Sequence, residues 1–432
     1  MRDEHSASSF SFPAPQGAPY RICPVCERGF SAPKVQRCCS TRCAADWRRK
    51  KRPDRKPRRF DVIADSLSPT SIPDASEDDN EASWGERGSY WESVLESGQH
   101  RKATSSLGVA GHGALLRVEG NSLVVRHGFT HYPQQRREQR YRPRDRALPE
   151  RIVLLNCDGA VSVPALAWLA KQQVSLILLD WRGNLTAALS GEATARNAAL
   201  CDNLYRLEPT HAVALARGLI NQKLRGQAVT VAAFPGSVAR DKTVQIIQRE
   251  RQSLASASTV EEIRITEARA AAAYFRLWTR LPMRWVGLGR RPVPLEWFNV
   301  GMRGSTVGNS NRKASHPAHA MLNYVYGVLQ NRVGVEVAKV GLDPAAGFLH
   351  SRQSGRPSLL LDLMEPLRPV VDLMLVGFLS SHTFARADFP IGDDGVVRLH
   401  PELARVVSEL EPPQDRVLNI VGDFVRALSS MD

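Results

Sequence analysis

The chain has 432 residues, of which 43% are hydrophobic, and this is enough for two or three domains with cores of their own. Its 58 lysines and arginines outnumber its 44 acids, and the formal charge of +14 favours polyanionic partners, with nucleic acid first. Apolar runs fall short of the roughly 20 residues of a transmembrane helix, and the opening residues lack the apolar stretch of a signal peptide. The composition therefore excludes a membrane-spanning protein and predicts a cytoplasmic one.

The N-terminal residues predict a disordered start, 1–20, and then a small basic module, 21–59, which holds five of the seven cysteines. Two cysteine pairs separated by about a dozen residues suit tetrahedral zinc in a reducing compartment. We expect Zn²⁺ to be bound by four thiolates: Cys23, Cys26, Cys39 and Cys43. Cys38 could replace Cys39 in this set, and incidental cysteines without a metal are the alternative.

The charge of the chain reverses after this module. Residues 21–59 hold fourteen lysines and arginines with three acids, whereas residues 60–100 hold ten acids with one arginine. The basic tail "WRRKKRPDRKPRRF" is typical of a nucleic-acid-binding segment, with folding back onto the acidic stretch as the alternative. Because the acidic stretch is polar and rich in proline and serine, we predict a disordered linker over 60–106.

Residues 107–192 predict a β-rich domain. The stretch "ALLRVEGNSLVVRHG" has two β-rich runs around Gly120 and Asn121, which indicates a hairpin. "RIVLLN" and "VSLILLD" are apolar strand candidates. Between them, "SVPALAWLAKQQ" is typical of a short helix, with Ser162 as its cap and Pro164 in its first turn.

Residues 193–432 predict an α-helical domain, so the fold class is α+β. Helical periodicity and abundant Ala, Leu, Glu and Arg mark four segments: "TARNAALCDNL", "PTHAVALARGLINQKLR", "VEEIRITEARAAAAYFRLWTRL" and "HPAHAMLNYVYGVLQNRVGVEVAKV". Glycine, proline and asparagine interrupt the helices over 282–315, where a loop beside a ligand and a plain connector are both compatible with the pattern.

The segment "GFLHSRQSGRPSLLLDLMEP" places a histidine and two acids within apolar sequence. Asp362 and Glu365 are three residues apart and share one face if 359–376 is a single helix, and a chain reversal would return His350 to the start of that helix. An imidazole nitrogen with carboxylate oxygens suits Mg²⁺ or Mn²⁺. Ion pairs with Arg368 and Arg356 are the alternative.

Three motifs resemble those of one known family. "TEARAAAAYF", which contains Glu267, "HPAHAMLNYVYGVL" and "GLDPAAGFLH…GRPSLLLDLMEPLRPVVD" are similar to motifs of the CRISPR-associated adaptation endonuclease, the integrase that inserts spacers. "ILLDWRGNLTAAL" and "LINQKL" are similar to the end of its N-terminal domain and to its first long helix. The resemblance covers 107–432. One departure is His319, which stands where the family has asparagine.

The resemblance implies which residues form the site. The family's metal ligands correspond to Glu267, His350 and Glu365, and Asp362 corresponds to a nearby acid that supports the site, so we expect these four to be the catalytic residues, with Mg²⁺ or Mn²⁺ as cofactor. Four basic residues near the motifs are the candidates for DNA binding, with a solvated surface charge as the alternative for each: Arg312, Lys313, Arg352 and Arg356. The arginine-rich stretch "RREQRYRPRDRALPER" suits either backbone binding or a solvated loop.

The resemblance further implies an N-terminal β-domain that forms a homodimer, an α-helical catalytic domain, and two partners, a small companion subunit and double-stranded DNA. Its reaction joins the 3′-hydroxyl of a short duplex to a phosphodiester of a CRISPR repeat. The cysteine module lies outside the family core. Two other functions stay open: a repair nuclease that cuts branched DNA without integration, and a catalytically inactive nucleic-acid-binding protein of the same fold.

Overall fold

The computed structural model describes most of the chain, and the ranges are 20–22, 29–31, 83–97, 106–181, 183–189, 196–302, 313–350 and 356–430. It divides into two compact units, 1–74 and 75–432. In the first unit, strands β1 (Tyr20–Ile22) and β2 (Gly29–Ser31) pair antiparallel. The predicted disorder over 1–20 lies outside the described residues except for Tyr20, which begins β1, and all the cysteines of the predicted zinc module lie outside them.

A six-stranded mixed sheet forms the first part of the second unit, in the order β5-β4-β3-β6-β7-β8. Its strands are β3 (Ser106–Glu119), β4 (Ser122–Arg126), β5 (Glu138–Tyr141), β6 (Arg151–Val161), β7 (Ser175–Leu179) and β8 (Leu185–Leu189). The central strands β3, β6 and β7 are parallel, and the outer strands pair antiparallel.

The local predictions for this sheet are confirmed. The β3–β4 hairpin pairs Glu119 with Ser122 around Gly120, whose φ of 59° is readily adopted by glycine because it has no Cβ. Helix α2 (Val163–Lys171) connects β6 to β7, and the Ser162 hydroxyl accepts a hydrogen bond from the Ala165 amide as its cap.

The two faces of the sheet are buried against different partners. Alternate residues of β6 point in opposite directions, so Ile152 and Leu154 pack with α2, whereas Val153 and Leu155 belong to the core of the helical region. One face of the sheet therefore shares an apolar core with the helical region, and the other face forms a separate core with α2. The predicted α+β class, with a β-sheet domain followed by a helical region, is confirmed.

The helical region contains α3 (Ala198–Tyr205), α4 (Pro209–Ala232), α5 (Val238–Ser253), α6 (Val260–Trp278), α7 (Pro317–Lys339), α8 (Ser358–Met364), α9 (Arg368–Ser381), α10 (Pro401–Ser408) and α11 (Gln414–Ser429). Short strands β9 (Arg284–Trp285) and β10 (Thr383–Phe384) pair in parallel. Most residues of α7 are buried, so this helix is the centre of the region. No helix of the described residues is long and apolar enough to cross a bilayer.

The expected disordered linker over 60–106 is wrong for its C-terminal part. Helix α1 (Trp84–Glu96) begins with a capping box, in which Ser83 and Glu86 satisfy each other's backbone amides. Arg87 and Trp91 are fully buried, and both donate to the buried carboxylate of Asp388. The buried Trp91 and the buried ion pair of Arg87 outweigh the acidic composition from which disorder was predicted.

Candidate active site

Two helices of the region contribute facing side chains of opposite charge. Lys223 lies on the buried face of α4, and Glu267 lies in the middle of α6, where it is partly exposed. The Lys223 ammonium donates to Glu267 Oε1 and, at 2.6 Å, to Glu365 Oε2. A single lysine therefore bridges two acids that are far apart in sequence.

His350 is held by the carboxylate of Asp362. Its Nδ1 donates to Asp362 Oδ1 at 2.6 Å, which leaves Nε2 as the acceptor atom of the neutral ring. Asp362 is fully buried and also accepts the backbone amides of Phe348, Leu349 and His350 at 2.7 to 3.0 Å. These four hydrogen bonds provide the partners that a buried carboxylate requires, and they fix the loop that carries His350.

Gly347 allows this loop to approach α8 closely. A Cβ at this position would lie 2.5 Å from the Ser358 Cβ and 3.0 Å from Asp362 Oδ2, and the first distance is too short for real atoms. The glycine therefore lets the backbone amides that follow it reach the Asp362 carboxylate.

Glu365 follows α8 as its C-cap, so 359–376 is not the single helix on which a shared face of Asp362 and Glu365 would depend. The chain forms α8, a short break, and then α9 from Arg368. Pro366 and Pro369 lack the amide donors that a continuous helix would require. As a result, Glu365 points toward the same cluster as His350, with Glu365 Oε1 lying 3.9 Å from His350 Nε2.

The electrostatics of Glu365 are dominated by two cations. Burial alone would raise its pKa, but the charges of Arg368, whose Nε lies 3.1 Å from Oε1, and of Lys223 outweigh burial and lower the pKa to about 2. For Lys223 burial acts in the opposite direction and would lower the pKa, but the charges of Glu365 and Glu267 together raise it. Both groups are therefore charged at neutral pH, and they stabilise each other.

A second buried acid supports the cluster from behind. Asp372 accepts from the Tyr274 hydroxyl at 2.9 Å and from the Tyr326 hydroxyl at 2.8 Å. The Arg368 guanidinium lies over the Tyr326 ring, 4.7 Å from its centroid. These contacts join α6, α7 and α9 behind the site and hold Arg368 in place.

Two cavities, of about 290 and 480 Å³, open over this cluster and share Glu267, Ala268, His350 and Glu365 in their walls. The two cavities together are called the groove below. The larger one continues along α6 over Ala271 and Ala272, whose small side chains leave the groove open, to the exposed Arg276. Met302 also lines it. This residue belongs to the segment 282–315, called the irregular segment here, so that segment borders the groove.

The cluster has the donor chemistry of a divalent cation site. Glu267 and Glu365 supply carboxylate oxygens and His350 Nε2 supplies an imidazole nitrogen, the donors that Mg²⁺ and Mn²⁺ accept. Both carboxylates already converge on one cation, the Lys223 ammonium. Within the described ranges, no three His, Cys, Asp or Glu side chains surround a common point closely enough to hold an ion. The donor types fit, and Lys223 occupies the place between the two acids.

The structure therefore brings Glu267, His350, Asp362 and Glu365 together, as the resemblance implies. Sequence analysis missed Lys223, although a signal was present. Residues 216, 220, 223, 227 and 230 form the buried stripe of α4, and a lysine on such a stripe requires an acidic partner.

The candidates for DNA binding do not line these cavities in the described part of the chain. Lys313 and Arg356 are half-buried in the segments that lead into α7 and α8, and Arg312 and Arg352 lie outside the described residues. Exposed arginines do line the groove, namely Arg264 and Arg276 of α6. Neither was singled out from the sequence.

Much of the arginine-rich stretch over 136–151 is engaged within the protein. Arg137 pairs with Glu92 and Glu96 of α1, and Arg151 forms a buried ion pair with Glu411 at 2.6 Å. These arginines stabilise the contact of the sheet with its neighbours.

His319 has a structural position. It is buried, and its Nε2 donates to the Gly301 carbonyl at 2.7 Å, which ties the start of α7 to the irregular segment. Among the described residues that line the two cavities, His319 is absent.

Comparisons with known proteins extend over most of this chain. The family model described as CRISPR associated protein Cas1 matches residues 107–411. A CRISPR-associated endonuclease Cas1 of Pyrobaculum aerophilum is 28% identical over 273 residues, which cover 62% of this chain and 80% of that protein.

Two solved structures have a similar fold. A casposase bound to an integration product has a TM-score of 0.60 at 22% identity, covering 76% of this chain and 91% of that one. A Cas6-RT-Cas1–Cas2 complex has a TM-score of 0.58 at 16% identity, covering 78% of this chain and 36% of that one.

Proposed function

The chain belongs to the Cas1 family of CRISPR-associated proteins, and on this basis we propose that it is a metal-dependent DNA endonuclease and integrase of CRISPR adaptation. It joins the 3′-hydroxyl of a short duplex to the repeat of a CRISPR array by transesterification. Cas1 endonucleases are among its sequence relatives, and the casposase fold was solved on an integration product, both of which support this activity.

The observation that carries the proposal is the convergence of Glu267, His350 and Glu365 beneath one open groove. They come from α6, from a loop and from the break after α8. Only the tertiary structure brings these three segments together. The side chains of Glu267 and His350 are each 25% exposed, so a phosphodiester in the groove can reach them, whereas that of Glu365 is 5% exposed. Acids buried together at the base of a groove are typical of a reactive site.

The residues of the chain orient and support the reaction. In the displacement, a bond forms from the attacking 3′-oxygen to phosphorus while the bond from phosphorus to the repeat's 3′-oxygen breaks. The attacking hydroxyl loses a proton and the departing oxygen gains one, so the number of phosphodiesters is unchanged and no ATP is consumed. Asp362 keeps His350 Nε2 facing the groove, and Arg368 offsets the charge of Glu365.

Glu267, His350 and Glu365 would hold Mg²⁺ or Mn²⁺, which in such a site polarises the phosphodiester and stabilises charge on the departing oxygen. The exposed Arg264 and Arg276, on the wall of the groove, are placed to contact phosphates of the bound duplex. Lys313, Arg356, Arg312 and Arg352 are kept as further candidates for DNA contact.

The proposed assembly is a homodimer, formed through the β-sheet domain, that works with a small companion subunit on double-stranded DNA in the cytoplasm. The similarity to the Cas1 fold within a Cas1–Cas2 complex supports the companion subunit. We also keep the structural Zn²⁺ site at Cys23, Cys26, Cys39 and Cys43 as a proposal. Metal analysis of the whole chain should find about one zinc that is lost in the Cys23→Ser, Cys26→Ser double variant.

A joining assay tests the activity. A short duplex with free 3′-hydroxyls is incubated with supercoiled plasmid that carries a CRISPR repeat, in Mg²⁺ or Mn²⁺, with the companion subunit present. Covalently joined products should form with free ends, and none should form with 3′-deoxy or 3′-phosphate ends. Equal plasmid cleavage with free and blocked ends, without joining, would show a nuclease that does not integrate.

A further inference from the structure

Lys223 contacts two of the three side chains that would hold a divalent cation. Its ammonium lies between Glu267 and Glu365, in hydrogen-bond contact with an oxygen of each. The side chain is only 9% exposed, so the pair of contacts is largely shielded from water and strong. Removing the lysine would leave the two acids near each other, with Arg368 still paired to Glu365.

A divalent cation bound by Glu267 and Glu365 competes with this ammonium. Lys223 contacts Oε1 of Glu267 and Oε2 of Glu365, and two positive charges a few ångströms apart repel each other where water is excluded. Binding of the cation therefore favours loss of the Lys223 contacts and movement of its ammonium elsewhere.

The same face of α4 offers a place for the displaced ammonium. Gln227 lies four residues after Lys223, so the two side chains are neighbours on the helix surface, and both line the larger cavity. Gln227 is 2% exposed, and its Oε1 is buried with no hydrogen-bond partner among the described residues. A buried carbonyl oxygen without a donor is costly, and a lysine ammonium would satisfy it.

We propose that Lys223 is a built-in competitor of the divalent cation: it neutralises Glu267 and Glu365 when the ion is absent and turns toward Gln227 when the ion binds. This inference rests on the metal dependence in the proposed function. It makes Lys223 a positioning residue that stabilises the ion-free site and weakens, by competition, the affinity for the ion.

Calorimetric titration of the full-length protein with Mn²⁺ tests the competition. Lys223→Met should bind Mn²⁺ roughly tenfold more tightly than the wild type, within the range of about 5- to 150-fold that is usual for coupled binding events. Its melting temperature without metal should be lower, and the rise on adding Mn²⁺ should be larger. Arg225→Met is the matched control, because it removes one positive charge from an exposed position of the same helix; its Mn²⁺ affinity should equal that of the wild type.

Gln227→Leu tests the second position of Lys223 without disturbing its contacts to the acids. It should weaken Mn²⁺ binding in the wild-type background and have no effect in the Lys223→Met background, because the coupling between the two positions requires the lysine. This variant also keeps the test valid if Lys223→Met does not fold without metal.

Three results would overturn the inference: Mn²⁺ affinity of Lys223→Met equal to or weaker than that of the wild type, equal effects of Gln227→Leu in both backgrounds, or, where Lys223→Met does not fold, Mn²⁺ affinity of Gln227→Leu equal to that of the wild type. The joining assay is run on the same preparations. Metal-dependent joining by the wild type together with any of these results removes only the competition. Tighter Mn²⁺ binding by Lys223→Met in a wild type that joins nothing keeps the competition and removes the proposed reaction.

Discussion

Asp362 Oδ1 accepts the Nδ1 proton of His350 at 2.6 Å, and the same oxygen accepts the backbone amide of His350 at 2.9 Å. One carboxylate thus fixes both the loop and the ring that it carries. The orientation of His350 Nε2 toward Glu365 depends on Asp362, which has 0% exposure and does not itself reach the groove.

Asp362→Asn should therefore impair the site from a distance. The amide keeps the shape of the carboxylate, but its NH₂ group is a donor. It would face the backbone amides and the imidazole N–H that now donate to Asp362. We expect joining activity to fall about 10- to 100-fold, as when an orienting partner of a metal-binding histidine is lost, and stability to fall by about 3 kcal/mol. Urea unfolding and the joining assay measure the two effects. Asp388→Asn, which changes another fully buried carboxylate, paired with Arg87 and absent from the described residues of the cavity walls, is the comparison for a general loss of stability.

Glu267→Gln, His350→Ala and Glu365→Gln should each abolish joining while the protein still binds DNA. The proposed site needs all three donors, and each variant removes one of them. Circular dichroism and a filter-binding assay with the short duplex report the fold and DNA binding separately from catalysis. Joining at the wild-type rate by any one of the folded variants would remove that residue from the site.

The residues of the site could be located from sequence because the resemblance rests on motifs of fixed spacing. The two strands, the hairpin and the capped helix of the β-sheet domain also followed from local pattern. Lys223 was missed, since a lysine in a long helix is usually solvated and its acidic partners lie 44 and 142 residues away in sequence.

Helix α1 was missed for a related reason. Net acidic charge over 60–100 predicted disorder, but the capping box at Ser83 and the apolar bulk of Trp91 are features of a folded helix. The partner of Arg87 lies 301 residues away, so no local pattern could reveal the ion pair. Composition averaged over a long window concealed a short ordered element within it.

Truncation should distinguish the linker from α1. Removing residues 1–80 should leave the 75–432 unit folded, whereas removing residues 1–97 should destabilise it strongly, because the second deletion leaves the buried Asp388 without Arg87 and Trp91. Arg87→Met alone should cost about 3–5 kcal/mol. Asp388→Asn in the Arg87→Met background should recover part of this loss, because it removes the unpaired charge. Thermal melts of the four proteins provide the measurement; equal melting temperatures for the two truncations would show that α1 adds nothing to the fold.

The stability of the protein should depend on pH through two buried histidines. Burial, with the charges of His131 and Arg87, lowers the pKa of His400 to about 3, and burial with Arg405 and Arg137 lowers that of His127 to about 3. In the unfolded chain both imidazoles titrate near the ordinary value of 6.5. Between pH 3 and 6.5 the unfolded state therefore binds protons that the folded state does not. Stability is complete above pH 6.5 and falls as the pH drops.

His400 provides the variant that measures this effect. It caps α10, where its Nδ1 accepts the Glu402 amide at 3.1 Å, so a proton on that atom would break the cap. His400→Asn keeps a capping acceptor and removes the titration. In urea unfolding between pH 5 and 6, the slope of the unfolding free energy against pH should fall by about 1.4 kcal/mol per unit relative to the wild type. An unchanged slope in His400→Asn would mean that the folded protein accepts the proton at His400 without loss of the cap.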